Sequence, residues 1–329
     1  MAEGSSQTTF QGQISVLVEG SRCIALKSLP FTLESIRELQ ILRAVQGHPN
    51  IIKLLRAKLT ATQVILYMEH HPRTLLDLIS EFPDGLPLSR VRVIFHQILL
   101  GLKHIHKCGY LHHDIKLENI LLDASDHVYL IDFGLSQPYI AGRYDSSHHA
   151  GSAHYAAPEI WLRKPYEGPE VDIWGAGICL FLLVTGFFPF GGPNNQEIWH
   201  SIRARELWKN DTLEKNMLLF DLLQRMLQFE HKHRITLTQV FQHPWFHCCE
   251  RSSLTQSISA PSIDVAVQHS SDRLKQSRSM LDDLSLSPSQ LHADINIVIS
   301  ELHPDKSAKK KHSSKERASK RSCRQRNRS

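Results

Sequence analysis

Residues 110–122 read YLHHDIKLENILL, a short polar segment set between two apolar ones. Its polar side chains include Asp114, Lys116 and Asn119. A second polar interruption follows in VYLIDFGLS, where Asp132 stands eighteen positions after Asp114. Polar groups at fixed offsets between short strands are typical of a functional site, because a purely structural core favours apolar side chains. These two stretches therefore indicate where the site of this protein lies.

Length and composition limit the class of protein. The 329 residues suffice for one large two-lobed domain, or for two ordinary domains, with a tail, and an apolar share of 41% allows a substantial core. The six cysteines include no C-x-x-C pair and show no regular spacing, which argues against a disulfide scaffold or a zinc ribbon. This pattern favours a reducing, intracellular setting.

The net charge of +5 is concentrated near the C-terminal end. Residues 305–329 hold eleven Lys and Arg against two acidic residues, whereas the rest of the chain holds 27 Lys and Arg against 31 Asp and Glu. A basic run can bind nucleic acid, but this one lacks the interleaved aromatic residues that stack on bases. A solvated or nuclear-targeting tail is the better interpretation, and nucleic acid is not an expected partner.

Neither secretion nor membrane insertion is predicted. The first ten residues, MAEGSSQTTF, contain no basic region and no apolar run of the kind a secretory signal needs. The longest uncharged run, residues 173–190, approaches the length of a membrane span. Glycines interrupt this run and Pro189 closes it, which favours a helix buried in the core of a cytoplasmic protein.

Periodicity divides the chain into a first part with predicted strands and one helix, and a second part that is mainly helical. In the first part ISVLV, CIALKSL and VILYME have the composition of strands, and LESIRELQILRAV has helical spacing. From about residue 72 helices dominate, with the strand pair of the opening stretch and HVYLIDFG among them. The helical segments are LLDLISEF, SRVRVIFHQILLGLKHIHKCG, the apolar run, EKNMLLFDLLQRMLQF and ITLTQVFQHPWF. Residues 247–329 are rich in serine and then basic, and we predict that they are largely disordered.

Three ordered motifs resemble those of protein kinases. HHDIKLEN is similar to the H-R-D-L-x-x-x-N catalytic loop, DFG follows at residues 132–134, and A-P-E stands at residues 157–159. A lone D-F-G would be weak evidence, whereas three motifs in this order and spacing are specific. The resemblance covers roughly residues 10–246. It implies an α+β, bilobal protein kinase fold with a small β-rich N-lobe and a larger helical C-lobe.

The resemblance also implies a class and domain limits. The D-x-K order at Asp114 and Lys116 looks like that of serine/threonine kinases. KLENILL, IDFGLS and YEGPEVDIWGAGICLFLLVTG look most like the Kin and microtubule-affinity-regulating polarity kinases, in the calmodulin-dependent and AMP-activated group. The implied kinase domain spans residues 1–246, with an N-lobe at about 1–69 and a C-lobe at about 72–246.

Catalytic and metal-binding roles follow from the same resemblance. It implies that Asp114 orients the hydroxyl of the substrate and that Lys116 stabilises the transferred phosphoryl group. Asn119 and Asp132 are hard oxygen ligands suited to Mg²⁺. Glu118, in KLEN, is the implied reader of a basic residue upstream of the phosphoacceptor, so protein substrates with upstream basic residues are expected.

The N-lobe is expected to bind ATP. IALK resembles the V-A-I-K strand, which makes Lys27 the implied partner of the α- and β-phosphates, and Glu38 is its implied ion-pair partner on the following helix. Met68 stands at the gatekeeper position, before an adenine-binding hinge that runs from Glu69 to His71. In the C-lobe, Asp172 is expected to bind the backbone of the catalytic loop, and Arg234 to pair with Glu159.

The Gly-rich loop departs from the family pattern. The best alignment places Gln7, Thr9 and Gly12 at the three glycine positions and Ile14 at the valine. Since glycine lets the backbone approach phosphates closely, the two side chains are expected to weaken or reshape nucleotide binding. The connector from Lys27 to Glu38 also looks short.

The activation segment departs as well. His113 replaces the arginine that reads an activating phosphate, and His148 replaces the usual phosphorylated threonine. The paired loss of reader and acceptor predicts a kinase released from that switch, although Ser146, Ser147 and Ser152 remain as substitute acceptors.

Two hypotheses follow for the function. The first is an active serine/threonine kinase that uses ATP and Mg²⁺ and works as a monomer. The alternative is a pseudokinase scaffold with weakened nucleotide binding, which the altered Gly-rich loop and the short connector favour. ATP turnover on a generic basic peptide distinguishes them.

Overall fold

A β-rich lobe precedes a larger helical lobe in this protein. The computed structural model describes residues 13–19, 22–139, 152–166, 168–205, 207 and 210–247. The predicted disordered tail lies outside these residues, except for His247, and Gln7, Thr9 and Gly12 of the predicted Gly-rich loop also lie outside them. The predicted bilobal α+β arrangement is confirmed within the described residues.

Four antiparallel strands form the sheet of the small lobe, in the order β1-β2-β4-β3. They are β1 (Gln13–Glu19), β2 (Arg22–Pro30), β3 (Leu54–Leu59) and β4 (Gln63–Glu69). The predicted strands ISVLV, CIALKSL and VILYME fall within β1, β2 and β4. Helix α1 (Leu33–Ala44) also lies where its periodicity predicted it.

The connector between β2 and α1 is short because α1 begins almost immediately after the strand. Strand β2 ends at Pro30, and the extended residue Thr32 caps the helix by accepting a hydrogen bond from the Ser35 N–H at 3.3 Å. Leu39 and Leu42 lie on the buried face of α1, and Glu38 shares that face. The carboxylate of Glu38 therefore points into the lobe.

Ten helices in all are described, nine of them in the large lobe. After α1 these are α2 (Leu75–Ser80), α3 (Leu88–Lys107), α4 (Pro158–Trp161), α5 (Pro169–Thr185), α6 (Asn195–Ala204), α7 (Asp211–Glu214), α8 (Met217–Met226), α9 (Leu237–Phe241) and α10 (Pro244–His247). Three short 3₁₀ turns are Leu117–Asn119, Ala153–Tyr155 and His231–His233.

Helix α5 is the central helix of the large lobe. All of its residues from Val171 to Thr185 are buried. It ends at Gly186, whose φ of +77° lies in the left-handed region, and a Cβ there would lie 2.0 Å from the carbonyl oxygen of Pro83. The long apolar run is thus a core helix, as predicted. None of the described helices has the length and apolar character that crossing a membrane requires.

Short strands of the large lobe position the catalytic loop. Strand β7 (Ile120–Leu122) pairs with β8 (Val128–Leu130), as predicted, and β5 (Arg73–Thr74) extends this sheet. A further pair, β6 (Tyr110–Leu111) with β9 (Gln137–Pro138), was not predicted. Two-residue strands leave no alternating pattern in a sequence, which explains why they were missed.

The helical predictions need three corrections. The helix predicted in EKNMLLFDLLQRMLQF is shorter than that stretch, because α8 runs only from Met217 to Met226 and Glu214 is the last residue of α7. ITLTQVFQHPWF divides into α9 and α10, since Pro244 cannot donate a hydrogen bond to continue α9. Helix α6 was not predicted, and only two of its residues, Ile198 and Ile202, are buried.

Candidate active site

Lys27 lies at the centre of the candidate site. Its Nζ donates to Glu38 Oε1 at 2.6 Å and to Asp132 Oδ1 at 2.8 Å. Only 7% of Lys27 is exposed, and burial opposes its charge, but the two carboxylates raise its pKa above the ordinary value. The ammonium group thus joins β2, α1 and the segment that follows β8. The predicted contact between Lys27 and Glu38 is present despite the short connector.

Asp132 is ionised in this arrangement. Burial would raise the pKa of its carboxyl, but the neighbouring Lys27 lowers it below the usual value. Its Oδ1 also accepts from the Gly134 N–H at 3.2 Å, and a Cβ at Gly134 would lie 3.2 Å from that same oxygen. Glycine therefore lets the segment lie tightly against Asp132.

Three polar side chains of HHDIKLEN contact one another. Lys116 Nζ lies 2.6 Å from Asp114 Oδ2, and Asn119 Nδ2 donates to the same oxygen at 2.8 Å. Asn119 Nδ2 also donates to the backbone carbonyl of Asp114 at 2.9 Å. Asp114 is only 9% exposed, so these two donors replace most of the water that its carboxylate would otherwise bind.

The backbone of the loop is held by Asp172, at the start of α5. Asp172 Oδ2 accepts from the His112 N–H at 2.9 Å, and Oδ1 accepts from the His113 N–H at 2.8 Å. His106 Nε2 lies 2.8 Å from Oδ2. Burial opposes the charge of Asp172, but the hydrogen bond from His106 lowers its pKa to about 2. The predicted contact of Asp172 with the loop backbone is confirmed.

Two site residues have left-handed backbone conformations. The φ angles of His113 and Asp132 are both +63°. Such conformations are uncommon for residues other than glycine and cost about 1 kcal/mol or more each. The hydrogen bonds of His113 to Asp172 and of Asp132 to Lys27 hold these two residues in place.

The donor set of Asn119 and Asp132 fits a divalent cation. The amide nitrogen of Asn119 donates to Asp114, which leaves its Oδ1 as the atom that could bind a cation. Asp132 uses Oδ1 for Lys27 and retains Oδ2. The Ile131 N–H donates to the Asn119 carbonyl at 3.0 Å, which keeps the two side chains on neighbouring segments. Two hard oxygen donors, one of them anionic, suit Mg²⁺.

The sheet supplies the other wall of the site. Ile14 and Lys27 are cross-strand partners, as are Ala25 and Met68, so each pair shares a face of the sheet. Residues two apart on a strand also share a face, which places Ala25 and Met68 on the face of Lys27. The motifs did not single out Ala25, although the alternation of β2 could have identified it.

The predicted hinge begins at the end of β4. Glu69 Oε1 lies 3.4 Å from Lys53 Nζ. The ring of His71 stacks on Tyr129 with centroids 3.9 Å apart and an interplanar angle of 16°. Burial lowers the pKa of His71, so the stacked imidazole tends to be neutral.

Two hydroxyl groups that the motifs did not assign to the site also contact the loop. Ser152 Oγ accepts from Lys116 Nζ at 3.1 Å, and the Tyr155 hydroxyl donates to Glu118 Oε2 at 3.2 Å. Ser152 and the 3₁₀ turn Ala153–Tyr155 that follows it thus contact Lys116 and Glu118 of HHDIKLEN. Ser152 is 36 positions from Lys116 and Tyr155 is 37 positions from Glu118. No pattern in the sequence connects residues so far apart, which explains why the motifs did not predict these contacts.

Glu159 and Arg234 stabilise the structure around this turn. Arg234 Nη1 and Nη2 donate to the two carboxylate oxygens of Glu159 at 2.7 and 2.9 Å. Both side chains are almost fully buried, and Arg234 Nη1 also donates to the Glu170 carbonyl at 2.7 Å. The predicted pair is therefore confirmed.

His113 is turned into the protein. It is 9% exposed, and its ring lies edge-on against Tyr166 with centroids 5.8 Å apart. Of the two histidines in the predicted change of the activation segment, the structure describes only His113. His148 lies outside the described residues, as do Ser146 and Ser147.

Comparison with known proteins gives one consistent family. The protein kinase domain family matches residues 22–246. The chain is similar to the "Probable serine/threonine-protein kinase MARK-A" of Dictyostelium discoideum, with 35% identity over 231 residues, 70% of this chain and 21% of that protein.

Two further relatives agree with this match. The SNF1-related protein kinase catalytic subunit alpha KIN12 of Arabidopsis thaliana is 34% identical over 246 residues, 74% of this chain and 47% of that protein. The NUAK family SNF1-like kinase 2 of Rattus norvegicus is 36% identical over 234 residues, 70% of this chain and 36% of that protein. The chain therefore spans less than half the length of these three relatives.

Proposed function

This chain belongs to the protein kinase family, and on that premise we propose that it is an active serine/threonine kinase, which transfers the γ-phosphate of ATP to hydroxyl groups of protein substrates. The observation that supports this proposal most is the contact of Lys27 with both Glu38 and Asp132, at 2.6 and 2.8 Å. Glu38 lies in the small lobe, 11 positions from Lys27 in the chain, and Asp132 lies in the large lobe, 105 positions from Lys27. This arrangement gives the site a buried cation that nucleotide phosphates can bind, which favours the active enzyme over a pseudokinase scaffold with weakened nucleotide binding.

Asp114 and Lys116 would act on the transferred group. The Asp114 carboxylate accepts or orients the proton of the attacking hydroxyl, and its position is fixed by Asn119. Lys116 lies between Asp114 and Ser152, where its ammonium can neutralise charge on the phosphoryl group as the bond to the leaving oxygen breaks. Phosphoryl transfer depends mainly on such positioning and charge stabilisation.

Three residues would hold the nucleotide and its cation. Lys27 would bind the α- and β-phosphates through the ammonium that Glu38 and Asp132 hold in place. Asn119 and Asp132 offer the oxygens that would hold Mg²⁺. The cation would supply positive charge that offsets the negative charge of the phosphates. Met68, Glu69 and His71 border the adenine, and Ile14 covers it from β1.

Glu118 is the proposed reader of the substrate. Its side chain is exposed, and no Lys, Arg or His of the described residues lies within ion-pair distance of it. An exposed carboxylate beside the catalytic loop favours a guanidinium group from the substrate, because Arg and carboxylate form geometrically specific pairs. We therefore expect protein substrates with a basic residue upstream of the phosphoacceptor.

The catalytic domain would span residues 1–246. Strand β1 precedes the matched segment, yet it pairs with β2 along its whole length, from Gln13 with Ser28 to Glu19 with Arg22. The sheet of the small lobe is thus continuous with residues before position 22.

We propose that the protein is a monomer in the cytoplasm and that its basic tail allows it to enter the nucleus. Sedimentation and imaging of a fluorescent fusion, with and without residues 305–329, test these points.

A kinase assay with the purified full chain tests the activity. Wild-type protein is incubated with ATP, Mg²⁺ and a generic basic Ser/Thr peptide, beside Asp114→Asn as the matched control. We expect transfer by the wild type and a loss of about a thousandfold or more in the variant. Equal incorporation by both proteins would indicate a contaminating kinase. No transfer by a folded wild type would support the pseudokinase alternative instead.

A further inference from the structure

We infer that Tyr155 is a positioning residue for Glu118, and that its hydroxyl sets the selectivity of this kinase for arginine in its substrates. This inference rests on the proposed kinase function. It concerns the carboxylate that reads the substrate and does not involve the phosphoryl-transfer step. The contact is the hydrogen bond from the Tyr155 hydroxyl to Glu118 Oε2, at 3.2 Å.

Tyr155 is itself rigidly held. It is 8% exposed, and its ring packs edge-on against Phe188 with centroids 5.4 Å apart and an interplanar angle of 81°. Burial, together with the neighbouring Cys179 and Glu118, raises the pKa of the phenol far above its ordinary value. The hydroxyl therefore keeps its proton and acts as a permanent donor to Glu118.

Glu118 differs from Tyr155 because it is exposed. Its position in the 3₁₀ turn Leu117–Asn119 fixes the backbone, but a glutamate side chain still has three rotatable bonds. A bond from Tyr155 to Oε2 removes much of this freedom and leaves Oε1 available. Oε1 of Glu118 can then accept hydrogen bonds from a cation of the substrate, and the side chain need not be ordered first.

A fixed carboxylate favours arginine over other partners. Two parallel hydrogen bonds from a guanidinium require a carboxylate plane of defined orientation. A carboxylate that rotates freely would have to be ordered on binding, at a cost in affinity. The hydroxyl of Tyr155 would contribute this order before the substrate arrives.

Ser152, the residue just before the 3₁₀ turn Ala153–Tyr155, contacts Lys116, which is proposed to act in phosphoryl transfer. Ser152 Oγ accepts from Lys116, while Tyr155, three positions later, donates to Glu118. The two contacts use different side chains and different loop residues. Loss of the Tyr155 hydroxyl should therefore weaken peptide binding and leave the transfer rate largely unchanged.

A double-mutant cycle tests the inference. Tyr155→Phe, Glu118→Gln and the double variant are assayed in the full chain against two Ser peptides, one with an upstream arginine and one with citrulline in its place. Citrulline keeps the shape of arginine and lacks its charge. Ser125→Ala is the matched control, because it removes a hydroxyl that donates to another carboxylate, Asp123 Oδ1, at 2.7 Å.

We expect Tyr155→Phe to raise KM for the arginine peptide five- to tenfold, with kcat within twofold and with the citrulline peptide unaffected. In the Glu118→Gln background the same substitution should have no further effect. Ser125→Ala should leave KM and kcat for both peptides unchanged. Equal changes for the two peptides, or an effect that persists without the Glu118 carboxylate, would reduce Tyr155 to a structural role and overturn the inference.

The wild-type data separate this inference from the proposed function. No transfer to either peptide would refute the kinase proposal itself. Transfer to both peptides with the same KM would leave the kinase proposal intact and refute arginine selectivity, and with it the inference.

Discussion

The Nζ of Lys27 lies 2.6 Å from Oε1 of Glu38, although the two residues are only eleven positions apart in the chain. The contact forms because Thr32, two residues after the end of β2, caps α1, and because Glu38 lies on the buried face of that helix. A connector that looked too short for this pair is therefore long enough, and one of the two observations that favoured a pseudokinase loses its force.

Substitution of Lys27 is expected to affect both activity and stability. Lys27→Met should lower phosphoryl transfer by about a thousandfold or more. It also leaves buried Glu38 without its cation, which should lower the free energy of unfolding by about 3 kcal/mol. Peptide phosphorylation and urea unfolding measure the two effects. Adding Glu38→Gln should recover part of the stability and none of the activity, and a variant within tenfold of wild-type activity would contradict the assignment.

The buried pair of Glu159 and Arg234 should matter far more for stability than an exposed pair. Glu159→Gln leaves a buried guanidinium uncompensated, so we expect a loss of about 3–5 kcal/mol in urea unfolding. Asp211→Asn is the control, because Asp211 and Lys215 are 88% and 74% exposed as side chains. That control should lose under about 1 kcal/mol from the ion pair with Lys215, and similar losses for the two variants would contradict this account.

Asp172 should make stability depend on acidic pH. Its pKa of about 2 in the folded protein lies below the ordinary value of 3.8. Its stabilising contribution, about 2 kcal/mol, is therefore complete above about pH 4 and is lost as the pH falls through about 2. Unfolding of the wild type and Asp172→Asn at several pH values measures this. The difference between them should shrink below pH 4, and a constant difference down to pH 2 would refute the assignment.

Activity should not require an activating phosphate. His113 stands where the related kinases carry a phosphate-reading arginine, and it is buried against Tyr166, with its backbone N–H bound to Asp172. Treatment of the purified protein with a broad phosphatase should leave its rate within twofold, or about 0.4 kcal/mol. A tenfold loss, traced by mass spectrometry to Ser146, Ser147 or Ser152, would show that the switch has moved to another residue.

The sequence predicted the class of this protein because the decisive residues are contiguous. Each of the motifs HHDIKLEN, DFG and A-P-E is a short contiguous stretch of sequence. The comparisons confirm the resemblance of this chain to kinases of the calmodulin-dependent and AMP-activated group. Strand and helix periodicity likewise predicted β1, β2, β4 and α1. Two-residue strands and the division of α9 from α10 escaped prediction, since such short elements show too little periodicity.

The sequence by itself thus determined the family, the two lobes and the residues near the site. Only the tertiary structure decided that the short connector still brings Glu38 to Lys27, and that Ser152 and Tyr155 contact Lys116 and Glu118. These contacts join segments up to 37 residues apart, and nothing in the local pattern of either segment encodes its partner. They arise because packing around α5 and the buried pair of Glu159 and Arg234 fix the position of the turn.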